Sequence, residues 1–270
     1  KEAQNARFSI IQFYLRRIRR IIPLVLFTSC IALGMGIFVM LPDDLENLAQ
    51  SVIATNLFSN NILLLITTGN YWDVVNEYKP LMHTWSLGVE EQFYVVFPLI
   101  FLVMSGKRSK YILPTLIALT VISFGLFLIA DSEATKFYAI QYRFYELSIG
   151  GIGAILFKNG LLKSGGKWAA LMVLIATLFI ELGLPNDLKI LITILVSTFI
   201  LVTENDNNGI VKLILENSWM RWIGKISFSL YMWHQIVLAY VRYAVLEEIL
   251  WYHSPIIILV IFLLSIASYY

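Results

Sequence analysis

The chain holds one cysteine, Cys30, and three histidines, and lysine, arginine, aspartate and glutamate together make up only 14% of its 270 residues. Each scarcity excludes something. A single thiol can form no internal disulfide framework and no cluster of cysteine ligands. A soluble globular domain would carry about a quarter charged residues. The net charge of +2 is too small to argue for a nucleic-acid partner, and none is expected. No HExxH or CxxC spacing occurs, so no metal is expected, although His83, His234 and nearby carboxylates are the residues a metal would have to use. Internal repeats, low-complexity tracts and linkers long enough to divide domains are also missing.

What is abundant is apolar: 59% of the residues are hydrophobic and the mean hydropathy is +0.75. Runs of about 17 to 25 apolar residues mark membrane spans. Eight fit, at roughly 21 to 40, 81 to 104, 111 to 130, 138 to 157, 168 to 184, 189 to 203, 222 to 246 and 255 to 270. The expected fold is an all-α polytopic transmembrane bundle of about eight spans. The fifth and sixth are short and joined by "GLPNDLK", so that pair is expected to be a plain hairpin, or tilted or partly re-entrant.

Charge orients the bundle. With residues 1–20 cytoplasmic, fifteen basic residues, among them Arg16, Arg17, Arg19 and Arg20, fall on inner segments, against Lys79, Lys136 and Lys189 outside. That is a positive-inside pattern. The outer segments hold Asp43, Asp44, Glu46, Asp73, Glu77, Asp131, Glu133, Glu247 and Glu248. Residues 41–80 form the longest outer stretch, apolar enough in "SVIATNLFSNNILLLITTGN" to lie on or dip into the outer leaflet. The chain opens on "KEAQNARF" without a methionine and stops inside an apolar run at Tyr270, so residues 1–270 are expected to be a partial domain, cut at both ends.

Polar groups inside spans are costly and carry the functional signal. In "HTWSLGVEEQFY", Glu90 and Glu91 lie about 14 Å below the outer surface at a rise of 1.5 Å per residue. Adjacent helical positions point about 100° apart, so the two carboxylates are expected to face different partners. His83, Ser86, Glu90 and Tyr94 follow at i, i+3, i+7 and i+11 and make one polar column. Glu90 therefore lines a cavity, while Glu91, sharing its face with Thr84, Leu87 and Gly88, meets another helix. In "YRFYELSIGGIGAIL" a partner is available: Arg143 neutralises Glu146 or Glu91, or else faces a pathway, above the glycines 150, 151 and 153 that allow close packing. His234 lies near mid-depth beside Tyr231, either as a hydrogen-bonded structural residue or as a ligand contact. The run "FYLRRIRRIIPL" reads as a topogenic cluster or as guanidinium forks for a phosphate-bearing ligand.

These segments, with "LPDDLENL", "KPLMHTWSLGVEEQFYVVFPLI" and "WIGKISFSLYMWHQIVL", stand in the order and spacing that resembles the acyltransferase 3 family of integral membrane proteins. Within that family the likeness is to O-antigen and polysaccharide O-acetylases. The resemblance implies a bacterial inner-membrane enzyme that takes an acyl group, usually acetyl, from cytoplasmic acyl-CoA. It would place that group on a hydroxyl of an envelope glycan such as lipopolysaccharide. It implies that Arg17 and Arg20, with Arg16 beside them, bind the CoA phosphates. It places Glu90, Glu91, Arg143, Glu146 and His234 in the family's shared polar core. Glu90, Glu91 and His234 are the catalytic candidates, and His83, Trp85, Ser86, Tyr94, Arg143, Glu146 and Tyr231 the candidate substrate contacts and polar core. The family's catalytic histidine belongs to a span before the arginine run, and His83 is not that residue. An extracytoplasmic domain sometimes follows in this family and would be a C-terminal partner of the bundle. Two other classes use the same buried polar cluster: a transporter or flippase for a polar solute or lipid-linked sugar, and a non-catalytic membrane partner.

Overall fold

The computed structural model describes residues 9–67, 74–104, 106–158, 166–180, 183–203, 216–244 and 249–270. Asp73, Glu247 and Glu248, expected on outer turns, lie outside them, as do the basic residues Lys1, Arg7, Lys163 and Lys212. The described residues are helical and contain no strand. In chain order the helices are α1 (Ile10–Val39), α2 (Pro42–Asn56), α3 (Asn60–Thr67), α4 (Trp85–Val103), α5 (Ile112–Ile129), α6 (Glu133–Tyr138), α7 (Ile140–Lys158), α8 (Lys167–Phe179), α9 (Asn186–Val202), α10 (Ser218–Ala244) and α11 (Ser254–Tyr269). Every apolar run picked from the sequence overlaps one of them. Among the described residues three stretches are long and apolar enough to cross a membrane: Ile10–Val39, Met82–Val103 and Arg108–Ile129. This is a helical membrane protein.

The helices sort into two compact units. The first holds residues 1–103, 130–140 and 224–270, and the second residues 104–129 and 141–223.

In the first unit, α1 starts eleven residues before the apolar run that marks it. Ser9 caps it by accepting from the Gln12 amide at 3.3 Å, and the arginine-rich turn is part of the helix. At 30 residues it is about 45 Å long, more than the ~30 Å hydrocarbon core needs. Helix α1 ends where Met40 bonds back to the Gly36 carbonyl and Pro42 opens α2 at a position that needs no amide donor. Gly36 is where α1, α2 and α10 meet. A Cβ there would stand 2.7 Å from a Leu48 methyl and 3.2 Å from the Tyr240 hydroxyl. That hydroxyl donates to the Ala32 carbonyl, and Ala32, Leu48, Trp233, Ile236, Tyr240, Ile257 and Ile261 close the largest core cluster.

The described part of the stretch expected to lie on or dip into the outer leaflet folds as α2 and α3 within this unit. It breaks at Leu57 to Ser59, where Phe58 takes a φ of 53°, an uncommon left-handed conformation for a bulky residue. The strain is held by a buried amide network. Gln92 on α4 donates to the Phe58 carbonyl at 3.2 Å and to Asn61 Oδ1 at 2.9 Å, and Asn61 donates to the Tyr138 carbonyl at 3.0 Å. Asn60 bonds the Leu81 carbonyl and Thr84, and Thr84 also meets Thr55 at 2.8 Å. These amides could not sit in lipid unpaired.

The second unit packs α5 against α7 through hydroxyls. Ser123 donates to the Gln141 carbonyl at 2.7 Å and accepts from the Tyr145 amide at 3.0 Å, and Thr120 meets Ser148 at 2.7 Å. Helices α8 and α9 pack against each other, and Gly183, shortly before α9, takes a φ of 62°. Gly153 lets α7 approach α9 so closely that an added Cβ would stand 2.5 Å from Thr198 Cγ2. Only Gly153 of the glycines at 150 and 153 is used this way, since Gly150 has open space.

Candidate active site

Helices α1 and α4 run antiparallel in a register fixed by three layers of contacts. The Tyr14 hydroxyl donates to the carbonyls of Tyr94 and Val95, Arg17 meets Glu90 and Glu91, and Ile21 and Val25 pack with Leu87. At the middle layer Arg17 Nε donates to both oxygens of Glu91 at 2.7 and 2.9 Å, while Nη2 donates to Glu90 at 2.9 Å. The guanidinium also lies 3.4 Å over the Tyr94 ring. One arginine thus carries two charge-assisted contacts and a cation–π contact, a fork geometry that lysine cannot copy.

This corrects two expectations. The glutamates were expected to face different partners because their positions diverge by about 100°. They converge on one guanidinium, since its separate N–H edges and long flexible arms span that divergence. Glu91 does meet another helix, as its face suggested, but the ion that meets it is Arg17 on α1. The relative levels change as well. The arginines were placed in a cytoplasmic segment and the glutamates about 14 Å from the outer surface. The register puts Arg17 level with both, so the charges form a single layer.

Burial separates the carboxylates. The Glu91 side chain is 13% exposed and Arg17 18%, whereas Glu90 is 45% exposed. Glu90 opens on a cavity of about 540 Å³ lined by Arg17, Arg20, Ile21, Ser86, Leu87, Glu90, Tyr94, Ser227, Phe228 and Tyr231. Ser86, Glu90 and Tyr94, three members of the expected column, therefore share one wall. Arg20, one turn beyond Arg17, is exposed and makes no ion pair among the described residues. Arg16 is exposed and does not line the cavity.

The opposite wall is α10. Tyr231 donates to the His83 carbonyl at 2.7 Å, so the 2.9 Å contact of its oxygen with Ser86 has Ser86 as donor. Beyond Tyr231 lies His83, with its ring 4.8 Å from the Tyr231 ring and 4.9 Å from His234. His234 Nδ1 stands 2.7 Å from the Tyr231 carbonyl. One turn further, Gln235 donates to the carbonyls of Glu77 and Lys79, and Arg242 pairs with Glu77 at 3.2 Å. Trp85 lies in an aromatic cluster instead, 4.3 Å from Phe137 and 5.8 Å from Tyr138. Arg143 and Glu146 belong to the second unit and pair with each other along α7 at 3.1 Å.

Two lining residues escaped the sequence reading. Ser227 and Phe228 stand four and three positions before Tyr231, so the same face arithmetic applied to "ISFSLYMWH" would have found them. Chemically the site offers the Arg20 guanidinium, unpaired among the described residues, a half-exposed carboxylate held by Arg17, and the hydroxyls of Ser86, Tyr94, Ser227 and Tyr231, with two imidazoles behind Tyr231.

Residues 4–270 match the family model described as an acyltransferase domain. The O-acetyltransferase OatA of Staphylococcus aureus is 27% identical over 289 residues, which cover 98% of this chain and 47% of that protein. An uncharacterized protein of Haemophilus influenzae is 32% identical over 165 residues, 57% of this chain and 66% of its own. The chain thus spans about half the length of OatA, and no solved structure matches it. With that match running over nearly its whole length, the chain belongs to the acyltransferase domain family.

Proposed function

We propose that the protein is a multi-pass O-acyltransferase of the bacterial inner membrane. It would take an acyl group, acetyl first among them, from acyl-CoA on the cytoplasmic face and transfer it to a hydroxyl of an envelope polysaccharide or lipopolysaccharide. The observation that carries this reading is the cavity on α1, α4 and α10, in a chain whose relatives include O-acetyltransferases. Arg20 and the Arg17–Glu90–Glu91 cluster stand at one end of the polar wall, and Ser86 and Tyr231 stand further along it.

The two arginines divide the work. Arg17 is committed to two carboxylates and a ring, so it shapes the wall; Arg20 is the guanidinium available to a CoA phosphate. Glu90, held but half exposed, is placed to accept a proton or orient the group that does. Glu91 acts through Arg17. His234 stands beyond Tyr231, toward the side where the acceptor hydroxyl would enter.

The test is acetyl transfer by the full-length protein in vesicles, with acetyl-CoA supplied on one side and glycan on the other. Arg20→Ala raises the KM for acetyl-CoA by about tenfold or more, since a hydrogen bond to a charged group contributes about 1.5–3 kcal/mol. An unchanged KM would leave Arg20 a topogenic charge. Glycan or solute movement that needs no acyl-CoA would make the protein a transporter instead.

A further inference from the structure

His83 is 8% exposed, and its two ring nitrogens are enclosed without a well-formed hydrogen bond among the described residues, the Pro80 carbonyl alongside falling short of bonding geometry. A buried polar group left this way costs stability, so its retention asks for a reason. Its surroundings supply one. The ring lies edge-on to His234 at 4.9 Å and to Tyr231 at 4.8 Å. His234 Nδ1 faces the Tyr231 carbonyl, which can only accept, so Nδ1 carries the proton and Nε2 is left as the acceptor. Tyr231, whose hydroxyl donates to the His83 backbone carbonyl and accepts from Ser86, stands between this pair and the cavity, and Glu90 follows His83 by seven residues, about 10 Å away. On the other side stand the Glu77–Arg242 ion pair and Lys79, reached through Gln235. The charged groups facing the pair are therefore Glu90, Glu91, Arg17 and Arg20 on the cavity side and Glu77, Lys79 and Arg242 on the other.

Transfer of an acyl group from a thioester to a hydroxyl breaks a C–S bond and forms a C–O bond. The hydroxyl proton ends on the departing sulfur, so the reaction neither consumes nor releases protons. When donor and acceptor stand on opposite faces, however, one proton has to travel between them in each turnover. We propose, resting on the two-sided reaction above, that His83 and His234 carry this proton from the acceptor side to the cavity. The Nε2 of His234 accepts it, the His83 ring, neither of whose nitrogens is held by a well-formed hydrogen bond among the described residues, turns to receive it and pass it on, and Glu90, the half-exposed carboxylate of the cavity, delivers it toward the thiolate.

The experiment compares full-length wild type with His83→Gln and His234→Gln in vesicles, with acetyl-CoA on one side and glycan acceptor on the other. His83→Gln is expected to keep the KM for acetyl-CoA within about twofold while kcat falls about 10²-fold, the usual share of a proton-transfer group. The pH dependence of kcat flattens, and added imidazole restores part of the rate. His234→Gln behaves alike. A His83→Gln protein with kcat within twofold of wild type and the same pH profile overturns the relay. So does a loss in which KM rises in parallel and imidazole restores nothing, because His83 is then a packing residue. If wild type itself moves no acetyl group between the two sides, the two-sided reaction fails, and the relay falls with it.

Discussion

Replacing Arg17 by alanine leaves Glu90 and Glu91 side by side without their shared cation. The cost can be worked from the geometry. Glu91, 13% exposed and bonded through both oxygens, is nearly a buried partner, and orphaning such a carboxylate costs about 3 kcal/mol or more. Glu90 is 45% exposed, so solvent screening limits its share to about 0.5 kcal/mol. Loss of the contact with the Tyr94 ring adds about 1 kcal/mol. The total is about 4–5 kcal/mol, a large fraction of a domain's stability. Chemical unfolding of the purified protein in detergent, with linear extrapolation, reads this directly. Adding Glu91→Gln to Arg17→Ala removes the orphaned charge and should recover about half of the loss, whereas Glu90→Gln should recover little. Arg20→Ala, which breaks no ion pair among the described residues, should cost under about 1 kcal/mol. Equal stability losses for the two arginines, or a double variant no better than Arg17→Ala alone, would refute the assignment of Arg17 as the clamp.

Gly88→Val should destabilise by about 1–3 kcal/mol in the same unfolding assay, because an added Cβ stands 2.6 Å from Asn61 Oδ1 and 3.1 Å from the Phe58 carbonyl, both already bonded to Gln92. Tyr231→Phe keeps the aromatic wall but leaves the His83 carbonyl without its 2.7 Å donor, so a loss of about 1 kcal/mol is expected, and a loss no larger than that of an exposed Tyr→Phe control would contradict the contact. Arg242→Ala should change stability by less than about 1 kcal/mol, since Glu77 is 60% exposed in that pair.

The helices were legible because an apolar run long enough to cross a membrane has one economical way to satisfy its backbone. Each of the eight runs overlaps a helix among the described residues, and the start of α1 moved where local chemistry overrode hydropathy. Thus Ser9 caps α1 twelve residues before Ile21, and the arginines between are good helix formers. The polar column on α4 was legible for the same reason: the 3.6 period fixes which side chains share a face, and Ser86, Glu90 and Tyr94 line one cavity. What sits opposite a face was not legible. Arg17 and Glu91 are 74 positions apart, and nothing in either segment names the other. Composition likewise could not show that "SNNILLLIT" turns its asparagines inward, because the bonds that hold Asn61 come from Gln92 and Tyr138.

The cost of placing two carboxylates in an apolar span now has a physical answer. Each charge alone would be expensive there, but Arg17, Arg20, Glu90 and Glu91 form a cluster whose formal charges cancel. The neutral whole is asymmetric. Arg17 is used up on the carboxylates, while Arg20 lines the same cavity and forms no ion pair among the described residues. An anion entering the cavity therefore meets one uncommitted cation without having to break the clamp. Glu90, the more exposed partner, is the carboxylate most easily drawn toward a new proton or hydroxyl. Had the two glutamates been buried equally, any ligand strong enough to engage one would have loosened α1 from α4. The unequal burial lets one carboxylate hold the helices together while the other stays open to chemistry.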